Sequence, residues 1–246
     1  MIVNTRKHSY YVNNEDLSMI EAGSTIFDIE TNKFYMFLAP GVLTELDAEE
    51  LPTVNTLEEL VEAIALGGEI NIVENIDASN AFVITADTTI TNEGTITISK
   101  DTVGDGVFKA TSGTLTLNGK GTINGLGENP YSMAIWATDN GKVIINDGYF
   151  TNVGAKSETD GEHFDLIYAS VNGQVEINGG EFKCETPKWT LNIKDANRDT
   201  ASIVVKGGKF HGFDPSNCLT EGEGTNFVAE GYKVVETDGI FEVVPE

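Results

Sequence analysis

Arginine is almost missing from this chain. Arg6 and Arg198 are the only two, which withholds the planar fork that most phosphate and carboxylate recognition uses. Cations as a whole are scarce: 15 Lys and Arg stand against 39 Asp and Glu, for a formal net charge of −24. A surface of that sign argues against nucleic-acid binding, which needs basic residues to neutralise phosphates. It argues equally against electrostatic attachment to anionic lipid. Cys184 and Cys218 are the only cysteines, far too few for a disulfide scaffold, and free buried thiols are expected. Uninterrupted apolar runs such as 133–137 extend over about five residues, well short of the roughly 20 that cross a bilayer as a helix, so no membrane insertion is expected. The first sixteen residues lack the apolar core of a secretory signal. There is no N-x-[ST] sequon, and synthesis in a cytoplasm is expected. No cofactor is expected.

What is present is a 40% hydrophobic content over 246 residues. That is too apolar for a disordered acidic chain and long enough to bury a sizeable core. Both parts of the chain are acidic, net −6 over residues 1–50 and net −18 over the remainder, so the charge belongs to the whole surface and not to one tail. Composition shifts near residue 50. Residues 1–50 read as a small docking module with one aromatic hairpin, Ser24 to Phe37, turning at Thr31-Asn32. Residues 51–55 read as a linker. A module of that size with one hairpin makes a poor independent core, which points to completion by a partner or a symmetry mate.

One helix is legible. Thr56-Leu-Glu-Glu59 is a capping box, Leu57, Leu60, Val61, Ile64 and Ala65 recur at helical spacing, and Gly67-Gly68 stops the pattern. The spacing predicts a helix over 57–66. Beyond it, short alternating strands repeat. Gly113-Thr-Leu-Thr-Leu-Asn-Gly matches Gly141-Lys-Val-Ile-Ile-Asn-Asp-Gly-Tyr-Phe150, then Gly173-Gln-Val-Glu-Ile-Asn-Gly-Gly-Glu-Phe182, then Ala201-Ser-Ile-Val-Val-Lys-Gly-Gly-Lys-Phe210. The anchors Leu115, Val143, Val175 and Ile203 lie 28, 32 and 28 residues apart. A further strand precedes each anchor, ending at Ala110, Ala137, Ala169 and Ile193. Repeats of this length with three short strands and no helix predict an all-β fold: a three-sided parallel β-helix of about six turns spanning 56–246. Inward positions would stack like on like, as in Phe150/Phe182/Phe210, and Gly148, Gly180 and Gly208 would form corners. Both ends of such a column are open sheet edges. The helix 57–66 is expected to cover the first turn, and a hairpin within 226–246, turning at Asp238-Gly239, the last.

These residues resemble a family. The helix leading into Gly-Gly-Glu-Ile-Asn-Ile, the pectate-lyase-like turns, the stretch Gly207 to Ser216 and the segment Gly224 to Val235 are similar to the right-handed β-helix of phage adhesion and fibre proteins, including structural proteins of crAss-like gut phages. The resemblance covers roughly 56–246, and Gly23 to Phe37 is similar to short hairpins of virion appendages. It implies a virion component such as a head fibre, capsid decoration or tail fibre, a homo-oligomer (trimer or dimer), docking to capsid or tail proteins through residues 1–50, contact with host-surface glycans, and no enzymatic activity. The alternative is a tail-associated polysaccharide-binding or depolymerising spike. A host-encoded surface adhesin is a third possibility, disfavoured by the missing signal peptide.

Phe27, Phe34, Tyr35 and Phe37 have little module to bury them and read as an oligomer or virion contact. Glu158, Asp160, Glu162, His163 and Asp165 fall in the longest turn and form a candidate carbohydrate or metal loop, although a charged loop is more often merely solvated. A pair of carboxylates is what a glycoside hydrolase needs. Asp101 and Asp105 make a weaker metal candidate, with no EF-hand spacing. Trp189 and Trp136 are candidate sugar platforms. Arg198, the sole arginine after residue 6, reads as a solvated turn residue, and His8, His163 and His211 as surface or turn residues forming no ligand set.

Overall fold

The structure, a computed structural model, describes residues 53–99, 106–126, 133–155 and 164–246, together with the backbone of five strands between residues 2 and 46. The chain divides into two compact units, Met1–Pro52 and Thr53–Glu246.

In the first unit, β1 (Ile2–Thr5), β2 (His8–Tyr11), β3 (Thr25–Asp28), β4 (Lys33–Ala39) and β5 (Val42–Leu46) form one antiparallel sheet in the order β2-β1-β3-β4-β5. The expected aromatic hairpin is β3 with β4, in a register that sets Phe27 opposite Phe34. The sheet is larger than the single hairpin expected. β1, β2 and β5 carry polar residues at positions where an apolar face would alternate, so their pattern is weak.

The second unit opens with β6 (Thr53–Val54) and α1 (Leu57–Leu66). The expected linker at 51–55 is therefore cut short: Thr53 and Val54 pair with the following strand, and Val54 is buried because its side chain is apolar and faces the core. α1 has the expected bounds. Thr56 Oγ1 accepts from the Glu59 amide at 3.2 Å, while Glu59 Oε2 accepts from the Thr56 amide at 3.1 Å, satisfying two of the free amides of the first turn. Leu60 and Ile64 are buried on the inner face of α1.

The chain then visits three parallel sheets in fixed rotation. The first turn is β7 (Gly68–Ile72), β8 (Ile76–Ala78) and β9 (Phe82–Ile84); the second is β10 (Thr88–Asn92), β11 (Thr95–Ile98) and β12 (Phe108–Ala110). The third is β13 (Thr114–Asn118), β14 (Thr122–Asn124) and β15 (Ile135–Ala137); the fourth is β16 (Lys142–Ile145), β17 (Tyr149–Thr151) and β18 (Ile167–Ala169). The fifth is β19 (Gln174–Ile177), β20 (Glu181–Lys183) and β21 (Leu191–Ile193), and a sixth adds β22 (Ser202–Val205) and β23 (Gly208–His211). The first sheet runs β22-β19-β16-β13-β10-β7-β6, and the third β21-β18-β15-β12-β9. The second runs from β8 through β11, β14, β17 and β20 to β23. The protein is thus mostly β, with few helical segments among the described residues.

Register follows the repeat. Leu115 pairs with Val143, Val143 with Val175 and Val175 with Ile203, all buried. Each inward aliphatic side chain contributes roughly 1.5–3 kcal/mol of burial. Phe150, Phe182 and Phe210 are fully buried and stack, with ring centroids 5.0 and 4.8 Å apart and interplanar angles of 11° and 9°. The corner beside them requires glycine: Gly180 has φ +96, and a Cβ there would lie 3.0 Å from the Gly148 carbonyl oxygen. On the outside, Asn146 donates to Asn118 at 2.8 Å and Asn178 to Asn146 at 3.0 Å, a side-chain ladder down the column.

The last open edges are closed in three different ways. β25 (Ile240–Pro245), held by β24 (Tyr232–Thr237), pairs antiparallel with β23 and ends the second sheet. Val228 bridges Val205 on the first sheet, with the Val205 amide donating to the Phe227 carbonyl at 2.8 Å. On the third sheet the Ile193 amide donates to the carboxylate of Glu221 at 2.7 Å. A side chain there takes the place of a further strand.

Candidate functional site

Two of the three corners stay short. The corners from first to second sheet are residues 73–75, 93–94, 119–121, 146–148, 178–180 and 206–207. Those from third to first are 85–87, 111–113, 138–141 and 170–173, lengthening only at 194–201. The corner from second to third sheet is different. It is tight at 79–81, longer at 99–107, 125–134 and 152–166, and shorter again at 184–190. Variable loops gathered on one side of a rigid scaffold are where binding residues concentrate. The acidic stretch singled out above lies in the longest of them.

Of that stretch, Asp165 is described, whereas Glu158, Asp160, Glu162 and His163 lie outside the described residues, as do Asp101 and Asp105. Asp165 is not the solvated loop carboxylate that its acidic neighbours suggest. Burial raises its pKa to about 7, with the nearby Glu221 carboxylate adding to the rise and a hydrogen bond from Asn192 opposing it. Asn192 Nδ2, on β21, donates to Asp165 Oδ1 at 2.9 Å. Around it, two loops are stitched together. Asn152, fully buried, donates to the Asp165 carbonyl at 3.2 Å and accepts the Glu185 amide at 2.8 Å. Thr186 Oγ1 accepts the Phe164 amide at 2.9 Å, and Cys184 Sγ donates to the Phe164 carbonyl at 2.9 Å. A carboxyl titrating near neutrality can hold or release a proton at physiological pH.

Trp189 sits on the same side one turn on, at the end of a 3-10 segment (Pro187–Trp189). It is half-buried, with its carbonyl accepting the Leu166 amide at 3.2 Å and Lys188 Nζ 5.9 Å from its ring centroid. Asp165 and Trp189 therefore occupy adjacent turns of one corner.

The third sheet also carries residues that sequence reasoning undervalued. Its strands β12, β15, β18 and β21 each turn one middle residue outward: Lys109, Trp136, Tyr168 and Asn192, in register on successive rungs. Lys109 Nζ lies 4.0 Å from the Trp136 ring centroid, and the Trp136 and Tyr168 rings are 6.0 Å apart. Trp136 Nε1 donates to Ser170 Oγ at 2.9 Å, and Ser170 in turn donates to Thr138 at 3.0 Å. The signal was available: Phe-Lys-Ala, Ile-Trp-Ala, Ile-Tyr-Ala and Leu-Asn-Ile share one pattern, with the middle residue opposite to the core.

Arg198 is an exposed turn residue, as expected, and carries partners that its local sequence does not announce. Its Nε donates to Glu221 Oε2 and its Nη2 to Asp195 Oδ1, both at 2.9 Å. The Glu221 side chain is only 2% exposed, and a buried carboxylate requires such a partner. They border a depression of about 310 Å³ shared with Ile193, Ile203 and Phe227. His211, expected as a surface or turn residue, is half-buried at the end of β23, with Nε2 2.6 Å from Glu181 Oε1 because β23 and β20 are neighbours. Phe27 lies on β3 and Phe34, Tyr35 and Phe37 on β4, but their side chains lie outside the described residues, as does that of His8. Both cysteines are free and buried, as expected. No family model, curated protein or solved structure matches this chain.

Proposed function

We propose that this chain is a structural component of a phage virion, a head fibre or capsid-decorating appendage, in which a right-handed parallel β-helix projects from a docking module formed by residues 1–50. The observation that carries the reading is the in-register stack of rungs whose last edges are closed, attached in sequence to a separate antiparallel unit. Stacked phenylalanines, an outer asparagine ladder and closed edges make a stiff column, which is what a projecting spacer needs. Its acidic surface opposes lateral self-association of exposed strands. Oligomerisation as a trimer or dimer through the docking module would convert weak single contacts into avidity.

Mass spectrometry and antibody labelling of purified particles test this reading. The protein is expected as a stoichiometric virion component at the particle surface, and its absence from particles would sink the proposal. A depolymerising spike is the second reading, favoured by the near-neutral titration of Asp165 in the expanded corner. It predicts reducing-end release from host polysaccharide that Asp165→Asn abolishes. The first reading predicts none.

A further inference from the structure

We infer that the outward strip of the third sheet, Lys109–Trp136–Tyr168–Asn192, is a binding platform for a neutral glycan running along the column. The inference rests on the appendage reading for where such a glycan is met, but its physical basis is independent.

Four features converge. First, aromatic rings occupy two successive rungs, Trp136 and Tyr168, on a scaffold where most other outward positions are Thr, Asn or charged. Both are half-buried, so the fold holds each ring while part of it stays accessible. Aromatic faces stack on the C–H faces of sugar rings, and such rings dominate contact energetics in small sites. Second, the geometry is pre-organised. The indole is pinned through Ser170 and Thr138, which reduces the ordering cost of binding. Third, polar groups flank the rings along the strip. Lys109 Nζ lies above Trp136, and the Asn192 side-chain amide, held by Asp165, lies on the rung below Tyr168. With strands about 4.8 Å apart, four rungs extend over about 14 Å, a length suited to a short oligosaccharide. Fourth, the corner leading into this sheet is the one whose length varies most, from three residues at 79–81 to fifteen at 152–166.

The chemistry selects among ligands. A net charge of −24 repels uronates, phosphates and nucleic acid. A protein partner needs roughly 800 Å² on each side, whereas this strip is a single outward residue wide on each strand. A chain of neutral sugars fits a narrow, lengthwise strip of rings and hydrogen-bonding groups.

The test uses the full chain against an array of neutral glycans, followed by titration of the hits and of polygalacturonate by calorimetry. Fluorescence is recorded with Trp189→Phe, which leaves Trp136 as the sole indole. Binding of neutral glycans with a change in Trp136 emission is expected. Trp136→Ala and Tyr168→Ala are each expected to weaken it about tenfold. Lys109→Ala, a milder change, should weaken it less and leave the thermal midpoint in place, which separates lost contact from lost fold. Failure of every neutral glycan at millimolar concentration overturns the inference. So does preference for the polyanion, unchanged affinity in both aromatic variants, or capture of a protein partner through this strip with no glycan bound. Glycan binding by a protein absent from particles would sink the virion reading and leave this one standing; a particle component that binds no glycan does the reverse.

Discussion

Replacing Phe182 by Ala removes the middle ring of the buried stack. Phe182 is fully buried, with Phe150 at 5.0 Å on one side and Phe210 at 4.8 Å on the other, both nearly parallel. Truncating a buried phenylalanine costs about 3–5 kcal/mol in lost transfer energy and cavity formation. Each ring pair adds about 0.5–1.5 kcal/mol beyond burial, and two pairs are lost here, so the expected cost is about 5 kcal/mol. For a unit of this size each kcal/mol lowers the thermal midpoint by about 2–4 °C, so the midpoint should fall by about 10–20 °C. The assay is urea and thermal unfolding followed by far-UV circular dichroism, with the urea slope checking that the unit still unfolds cooperatively. A double-mutant cycle sharpens it. Phe150→Ala with Phe182→Ala should couple by about 0.5–1.5 kcal/mol, whereas Phe150→Ala with Phe210→Ala should be nearly additive, because Phe182 lies between them. A midpoint shift below about 2 °C, or equal coupling in both cycles, would refute the stacked-rung account.

Glu221→Ala should cost about 1–3 kcal/mol, because it leaves the buried Ile193 amide without its acceptor, while the exposed Arg198 keeps Asp195 as a partner. Asp195→Ala, at an exposed partner of the same arginine, should cost less than about 1 kcal/mol in the same melts. Asp165 gives a pH signature. Its folded pKa of about 7 lies well above the ordinary aspartate value of 3.8, so the folded state binds the proton more tightly. Its contribution is greatest below about pH 4 and is lost as pH rises towards 7, with a slope of up to about 1.4 kcal/mol per pH unit. Asp165→Asn should flatten the stability curve in that window and be the more stable protein at pH 8; parallel curves would contradict the burial argument. Burial pushes the Cys184 thiol up to about 12 and also raises Cys218, so neither should react with a thiol reagent at pH 8 in the native state, while both should react in denaturant.

Much of the column is legible in the sequence because its turns reuse one pattern. Leu115, Val143, Val175 and Ile203 announce their pairing by equal local context, and Thr56 with Glu59 announces the start of α1. The remaining features depend on contacts that no local pattern records. Glu221 reads as one more acidic residue in a Gly-rich loop, and only the placement of Arg198 and of the β21 edge around it makes it a buried closure. Asp165 reads as solvated because its sequence neighbours are charged; its partners Asn152 and Asn192 lie 13 and 27 residues away. The strand at Thr53–Val54 has two residues, too few for a period to show. Lys109, Trp136, Tyr168 and Asn192 are the exception: their apolar-flanked triplets, 24–32 residues apart, do carry the alignment, but their differing chemistry hides it.

The three edge closures have a consequence for synthesis. All of them come from segments that follow the sixth turn: Glu221, Val228 and β25. A nascent chain therefore exposes a completed stack of rungs with unpaired strand edges until these residues emerge. At 5–20 residues per second, the stretch from β23 to β25 takes about 2–7 s to be made. During those seconds two neighbouring nascent chains could pair edge to edge, since each presents the template that its own closing segments later occupy. The last stretch of translation thus sets how much of the product escapes intermolecular pairing, and slowing translation after His211 should lower the yield of soluble protein without altering the stability of what folds.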